Sequence, residues 1–501
     1  MGATAVRGGR GALWRRRARL AALPGGVLDV GGLTGVVDGE RGFVLARCLS
    51  GERALPTVGR AVLVSPGRLC RHVLVCGATG SGKTETVLRL AWVVAKHMGA
   101  PVFYLDGKGD RDTARRFCAL MADAGRATRV FPVESFDGWR GEAHEIQGRL
   151  MQIVDYTTVG PASWYRDIAK TTLRLVCEHP EGPPRSSGEV LARMNLGLLR
   201  AAHPGCSAVG ALSEAQVNQV RLRYEAFFGQ TRGALDGTWA WENTQAAYLL
   251  LDSLVLREET SGLARFLFED FAHYFTSRKP RAQFCLLIVD EFTALAANAG
   301  MAGRVEQARG FNTGLVLAPQ VVAGMGDEVE AARILGSVET VICHRVNTPE
   351  EIIALAGTRR IVEYSSHYGM DGATGEGSAR LQHEFKVDPN HVRSLPAGVA
   401  FIISRGRAMK AHIEQAPLLT APLPESTPGK SGSQGTPVAR TPAGGTPMGP
   451  TAAGDNPTEA SETPIPTGAA RAPGARARAS APDGVPANGD GSERGVEDLP
   501  F

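Results

Sequence analysis

The sequence predicts an α/β fold built on a mainly parallel sheet, interrupted by an all-helical insertion and followed by a disordered tail. Three observations predict it. Between roughly Pro56 and Ala416, short continuous apolar runs of strand length alternate with helical patterns, as expected where crossover helices join parallel strands. A glycine-rich run of phosphate-loop type lies directly between one such strand and the next helix. From Ala416 onward the composition turns to Pro, Gly, Ala, Thr and Ser, and this last sixth holds about half of the 30 prolines.

The first twenty residues carry Arg7, Arg10, Arg15, Arg16, Arg17 and Arg19 and no acid. The apolar stretch after them is short, broken by Pro24 and followed by Asp29, so residues 1–59 read as a basic arm and a small N-terminal region, not an export signal. The expected strands are Val73 to Cys76, Val102 to Leu105, Phe284 to Val289, Leu315 to Ala318, Val341 to His344 and Val399 to Ile403. Each is continuously aliphatic, as strands covered on both faces are. After Lys83, residues Val87, Leu90, Ala91 and Val94 recur at helical spacing up to Gly99, which predicts an amphipathic helix with a glycine stop. Thr348-Pro349-Glu350-Glu351 predicts a second start, with Thr348 as N-cap and Pro349 at the first helical position.

Residues 154–275 break the alternation: Ile168, Thr172 and Leu175, then Tyr248, Leu249, Leu251, Leu254 and Val255, suggest helices and no strand. They are expected to form an all-helical domain inserted between sheet segments 60–153 and 276–415. Residues 416–501 cannot bury enough apolar surface to offset an ordering cost of about 1 to 2 kcal/mol per residue, and are expected to be disordered.

With 501 residues, 43% hydrophobic and 21% charged, the chain is neither fibrous nor wholly disordered. A formal charge of +4 excludes binding to nucleic acid by bulk charge. The best membrane candidate, Val87 to Leu105, is interrupted by Arg89, Lys96 and His97, so no transmembrane segment is expected. The eight cysteines include no pair at two-residue spacing, which speaks for a reducing cytoplasmic setting over a zinc ribbon or disulfide framework.

Gly77-Ala78-Thr79-Gly80-Ser81-Gly82-Lys83-Thr84 fits GxxxxGK[ST]. In such a loop backbone N–H groups converge on phosphate oxygens, the lysine reaches the β- and γ-phosphates and the threonine hydroxyl ligates Mg2+. Six apolar residues, Phe284 to Val289, lead into Asp290-Glu291; Asp290 is the candidate metal-side acid and Glu291 the candidate base for an attacking water. Ala318-Pro319-Gln320 ends the next strand, and Gln320 is the candidate that senses the γ-phosphate or orients the water. No Asn-Lys-x-Asp guanine signature is present, so ATP is the expected nucleotide.

These motifs resemble the HerA/FtsK superfamily of RecA-like ring motors, and most closely its conjugative DNA-transfer coupling proteins, the TraG/TraD-like ATPases of type IV secretion. The resemblance also rests on Tyr104-Leu105-Asp106-Gly107-Lys108-Gly109-Asp110, on Gln307-Ala308-Arg309 ahead of Gly314 to Gln320, and on Arg345-Val346-Asn347-Thr348-Pro349-Glu350-Glu351; it covers about residues 60–410. It implies a P-loop NTPase of RecA-like fold, ATP and Mg2+ as cofactors, and a homohexameric ring with DNA in its channel. By it Arg309 is either an arginine finger reaching a neighbouring subunit's ATP or a solvated helix residue. Arg345 is a second finger candidate, and Asp106 and Lys108 lie near the nucleotide. A relaxase or a membrane secretion channel is the implied partner, with recruitment to the inner face of the membrane. Such proteins commonly begin with membrane helices, from which this chain departs.

Three alternatives stay open: a protein-secretion ATPase, a chromosomal DNA translocase or repair pump, and a non-enzymatic ATP-switched scaffold. Arg221 with Arg223, Arg359 with Arg360, and Ser277-Arg278-Lys279-Pro280-Arg281 are the basic groups available for DNA. The terminal Glu497-Asp498-Leu499-Pro500-Phe501 resembles the docking tip of bacterial single-stranded-DNA-binding proteins.

Overall fold

A computed structural model describes residues 43–50, 61–156, 160, 163–251, 257–278, 283–291, 301–320, 322–369 and 372–424. The arginine-rich arm, nearly all of the proposed tail and the terminal tip lie outside these residues.

The parallel part of the sheet holds β3 (Val73–Cys76), β4 (Val102–Asp106), β5 (Thr128–Phe131), β6 (Ala246–Leu250), β7 (Cys285–Asp290), β8 (Thr313–Ala318) and β9 (Thr340–Cys343). An antiparallel edge is added by β1 (Phe43–Ser50), β2 (Ala61–Val64), β12 (Val399–Ser404) and β13 (Arg407–Ile413). Among the described residues the eleven strands run β2-β1-β13-β12-β9-β3-β8-β7-β4-β6-β5. All six expected strands are present within one residue or two of the predicted ends. The long hairpin of β10 (Thr358–Gly369) and β11 (Gly372–Phe385) forms its own two-stranded sheet.

Burial on both faces explains the continuous apolar runs. One face turns Val73, Val75, Tyr104, Ile288 and Val316 toward α1 (Lys83–Val93) and α2 (Arg111–Asp123), where Val87, Leu90 and Phe117 meet them. The other face buries Leu74, Phe103, Leu287, Val289 and Leu317 in a core shared with α3 (Ala143–Met151), α4 (Ser163–Cys177), α5 (Ser187–Arg193), α6 (Leu196–Ala202), α7 (Glu214–Thr231) and α8 (Arg257–Ser277). The α1 helix ends in a wider turn, Val94–Met98, and stops at Gly99 with φ 69° as expected. Beyond β7 come α9 (Met301–Ala308), α10 (Glu328–Ser337) and α11 (Glu350–Ala354). The last begins at Glu350 with Pro349 as N-cap and no side-chain capping bond, one residue later than the sequence suggests.

Two expectations need correction. The stretch 154–275 is not free of strands: β6 lies inside it, paired in parallel with β4 and β5. Its run of apolar residues from Ala246 is of strand length, and periodicity alone does not separate a buried strand from a buried helix. The helical excursion α4–α7 also shares its core with the sheet instead of enclosing one of its own. The N-terminal region contributes β1 to the main sheet through Ala46–Ile413 and Arg47–His412 pairing, so it is not separate from the α/β body.

Two buried histidines bracket the phosphate-loop strand. His72 accepts from Leu315 N–H at Nδ1 (3.2 Å), so Nε2 carries the proton donated to Val305 O (2.8 Å). His344 Nε2 lies 2.8 Å from Thr86 Oγ1. Burial holds both near pKa 4, against 6.5 when free. Below pH 6.5 the unfolded histidines bind protons that the folded ones refuse, so stability is present above that pH and is lost as pH falls toward 4, by about 3 kcal/mol each. Melting temperatures should therefore drop through this window, and His344→Gln should make the drop shallower; an unchanged slope in that variant would exclude His344 as a source.

Candidate functional site

The phosphate loop is held in shape by its neighbours. Ala78 N–H donates to Arg345 O at 2.8 Å, and Gly398 N–H donates to Ser81 O at 3.0 Å, which pins the loop between the ends of β9 and β12. A Cβ at Gly77 would sit 2.4 Å from Ser81 Oγ and 2.8 Å from His344 Cβ. Gly82, with φ 104°, is the left-handed N-cap of α1, a conformation that costs other residues about 1 kcal/mol or more. The first N–H groups of α1 lack acceptors within the helix, and its positive dipole end faces the loop, so anions are favoured there.

Opposite the loop, the strand ends stand level. Asp106 pairs with Asp290, and Asp290 with Ala318, across β4, β7 and β8. Lys83 Nζ crosses the gap to donate to Asp290 Oδ1 (2.9 Å) and Ala318 O (2.8 Å). Strand alternation would send the next side chain to the other face of the sheet, but Glu291 has φ 57° and stays on the cavity rim. Its Oε2 accepts from Gln320 Nε2 at 3.0 Å. The result is a cavity of about 430 Å³ lined by the loop, Lys108, Asp290, Glu291 and Gln320, with Gly398 and Gln415 on the far wall.

The sequence-predicted residues thus converge. Gly77, Ala78, Thr79, Gly80, Gly82, Lys83, Thr84, Asp290, Glu291 and Gln320 all line this one cavity, with Ser81 buried behind the loop. Thr84 and Asp290 supply the hard oxygen donors that Mg2+ takes. Arg309 is not brought here. It lies in an exposed turn ahead of β8, at the opposite end of the parallel strands, where its charge acts on His72. Arg345 reaches the loop through its backbone carbonyl. Of the basic groups, Arg223, Arg359 and Arg360 are exposed, Arg359 pairing with Glu384 at 3.0 Å, and Lys279 and Arg281 fall outside the described residues.

Two side chains that reach the strand-tip carboxylates were not among the sequence-predicted site residues. Tyr104 donates to Asp290 Oδ2 at 2.8 Å, and Tyr248 to Asp106 Oδ2 at 2.7 Å. The signal was a hydroxyl within an apolar strand, which must find a partner when buried. Asp106 is pushed up to about 6 by burial, against the Tyr248 hydrogen bond and the N–H groups of Lys108 and Asp110, which favour its ionised form.

The family model described as helicase HerA-like C-terminal matches residues 54–121. The type 4 coupling protein DotL of Legionella pneumophila (strain Philadelphia 1) is 30% identical over 92 residues, 18% of this chain and 12% of that protein. The unbound bacterial conjugative coupling protein TrwB superposes with TM-score 0.54 at 16% identity, covering 70% of this chain and 86% of TrwB. This chain has the fold of the coupling protein TrwB. TrwB in complex with ADP and Mg2+ matches at TM-score 0.54 and 14% identity over 72% of this chain and 88% of that one. VirB4 of Thermoanaerobacter pseudethanolicus matches at TM-score 0.52 and 15% identity over 77% of this chain and 99% of its own length. Among the described residues no helix is long and apolar enough to cross a membrane.

Glu291→Gly should raise folding stability by about 1 kcal/mol, by relieving the backbone strain of the left-handed Glu291; denaturant unfolding checks it.

Proposed function

We propose that this chain is an ATP hydrolase acting as a ring motor that translocates DNA, as the coupling protein of conjugative or plasmid transfer, with a relaxase or membrane secretion channel as partner. The observation that carries the reading is the meeting of Lys83, Thr84, Asp290, Glu291 and Gln320 in one cavity at the end of the phosphate-loop strand. The N–H groups opening α1 bind phosphate oxygens, and Lys83 exchanges its Asp290 partner for the β- and γ-phosphates. Thr84 and Asp290 would hold Mg2+, which when bound neutralises charge on those oxygens. Glu291 takes the proton of the attacking water, and Gln320, bonded to it, orients base and water together. Once the acid and base are in place, little remains for the protein but positioning and charge stabilisation.

Arg309, exposed at the far end of the strands, serves the neighbouring subunit's site in a homohexameric ring. A few phosphate contacts per subunit suffice for DNA in a channel lined by six copies, so the near-neutral charge is compatible with this role.

Lys83→Ala should lower ATP turnover at least about a hundredfold, and Glu291→Gln should bind nucleotide without hydrolysing it. Arg309→Ala should lose about a thousandfold in turnover at unchanged nucleotide affinity. Mixing Arg309→Ala with Lys83→Ala subunits in equal amounts should restore part of the turnover, because roughly a quarter of the interfaces then join an intact loop to an intact neighbouring arginine; normal hydrolysis by Arg309→Ala alone would refute the assignment. Turnover should rise several-fold with DNA. Indifference to both single- and double-stranded DNA would favour polypeptide cargo.

A further inference from the structure

The tyrosine pair behind the cavity is more than filler. Tyr104 and Tyr248 are register partners on β4 and β6, fully buried, with rings stacked at 4.8 Å and 21°. Phe117 of α2 packs against both, at 5.6 and 5.4 Å. Strand alternation puts Tyr104, Asp106, Tyr248 and Asp290 on one face of the sheet. From there each hydroxyl reaches a different carboxylate at the strand tips. Tyr104 engages Oδ2 of Asp290, while Oδ1 of the same group accepts from Lys83 Nζ and, at 3.0 Å, from Glu291 N–H. Tyr248 engages Asp106, whose oxygens also accept from Lys108 N–H (2.9 Å) and Asp110 N–H (2.7 Å). That second cluster closes the turn that carries Lys108 into the cavity.

Packing alone does not account for the hydroxyls. A phenylalanine at either position would give the same stack and the same apolar contact with Phe117. What tyrosine adds is a donor aimed at a buried carboxylate oxygen, which fixes how that carboxylate is turned.

We propose that Tyr104 is the positioning residue of the metal-side acid, holding Asp290 with one oxygen turned toward the phosphate loop, and that Tyr248 does the same for Asp106 and the Lys108 turn. The proposal rests on the reading of Asp290 as the acid that holds Mg2+. Removing a partner that orients a metal-side ligand typically weakens metal binding or activity 10- to 100-fold. The stack joins the two clusters, so one sheet face controls both the metal side and the Lys108 side of the cavity.

The test uses the full chain with Mn2+ as the probe. Free Mn2+ is followed by electron paramagnetic resonance in the presence of a saturating slowly hydrolysed ATP analogue, and nucleotide binding is measured separately with a fluorescent ATP analogue in chelator. Tyr104→Phe should weaken Mn2+ binding about tenfold and leave metal-free nucleotide binding within about twofold of the parent. Tyr248→Phe should leave Mn2+ binding within about twofold and weaken metal-free nucleotide binding instead. Asp290→Asn is the reference. If it binds Mn2+ as the parent does, the metal reading of Asp290 is what has failed. If it loses Mn2+ while Tyr104→Phe keeps parental affinity, the positioning role is overturned. Equal drops in melting temperature for the two phenylalanine variants with both affinities unchanged would overturn it too, as the signature of a purely structural pair.

Discussion

The ion pair between Lys83 and Asp290 organises this molecule. It joins residues 207 apart in sequence at 2.9 Å, with both side chains only 12% exposed. A charge so withdrawn from water is tolerated only if it is paired and hydrogen-bonded, and both partners meet that demand: the ammonium through Ala318 O, the carboxylate through Tyr104 and Glu291 N–H. The pair spans the end of the sheet. Strands β3 and β7 are separated by β8, so their tips face each other across the end of that middle strand, and the cavity is the space that this arrangement leaves.

The supports around the pair differ in kind. The phosphate loop is tied by backbone bonds to β9 and β12, strands on the far side of β3 from the acids. The acids are tied by side chains to β4 and β6. The two halves therefore stand on separate parts of the sheet and touch mainly through Lys83. Exchanging that contact for a triphosphate would leave each half anchored, as the proposed cycle of nucleotide binding and release requires.

Much of this is legible in the sequence. The six continuous apolar strands were readable because they are buried on both faces, where nothing polar interrupts the pattern. The strands that escaped have other patterns. In β13, Arg407 at the start and His412 between Ala411 and Ile413 are exposed while Met409, Ala411 and Ile413 are buried, a mixed signal at an antiparallel edge. In β6 a fully apolar run passed for helix because neighbouring residues continue it. The cavity residues were legible because phosphate chemistry demands particular types at particular strand ends. The left-handed turn at Glu291 was not, since nothing in Asp-Glu specifies φ. The location of Arg309 follows from chain direction: a residue ahead of a parallel strand lies at the edge opposite a loop that follows one.

The helical excursion has a consequence for anyone wishing to re-engineer this chain. Because α4–α7 share one continuous apolar core with a sheet face, they are not an appendage that can be clipped off and replaced by a foreign cassette. A chimera made by exchanging residues 163–231 would strip cover from the layer beneath the nucleotide chemistry. Any new segment must reproduce that inner surface, leaving only its outward side free to diversify.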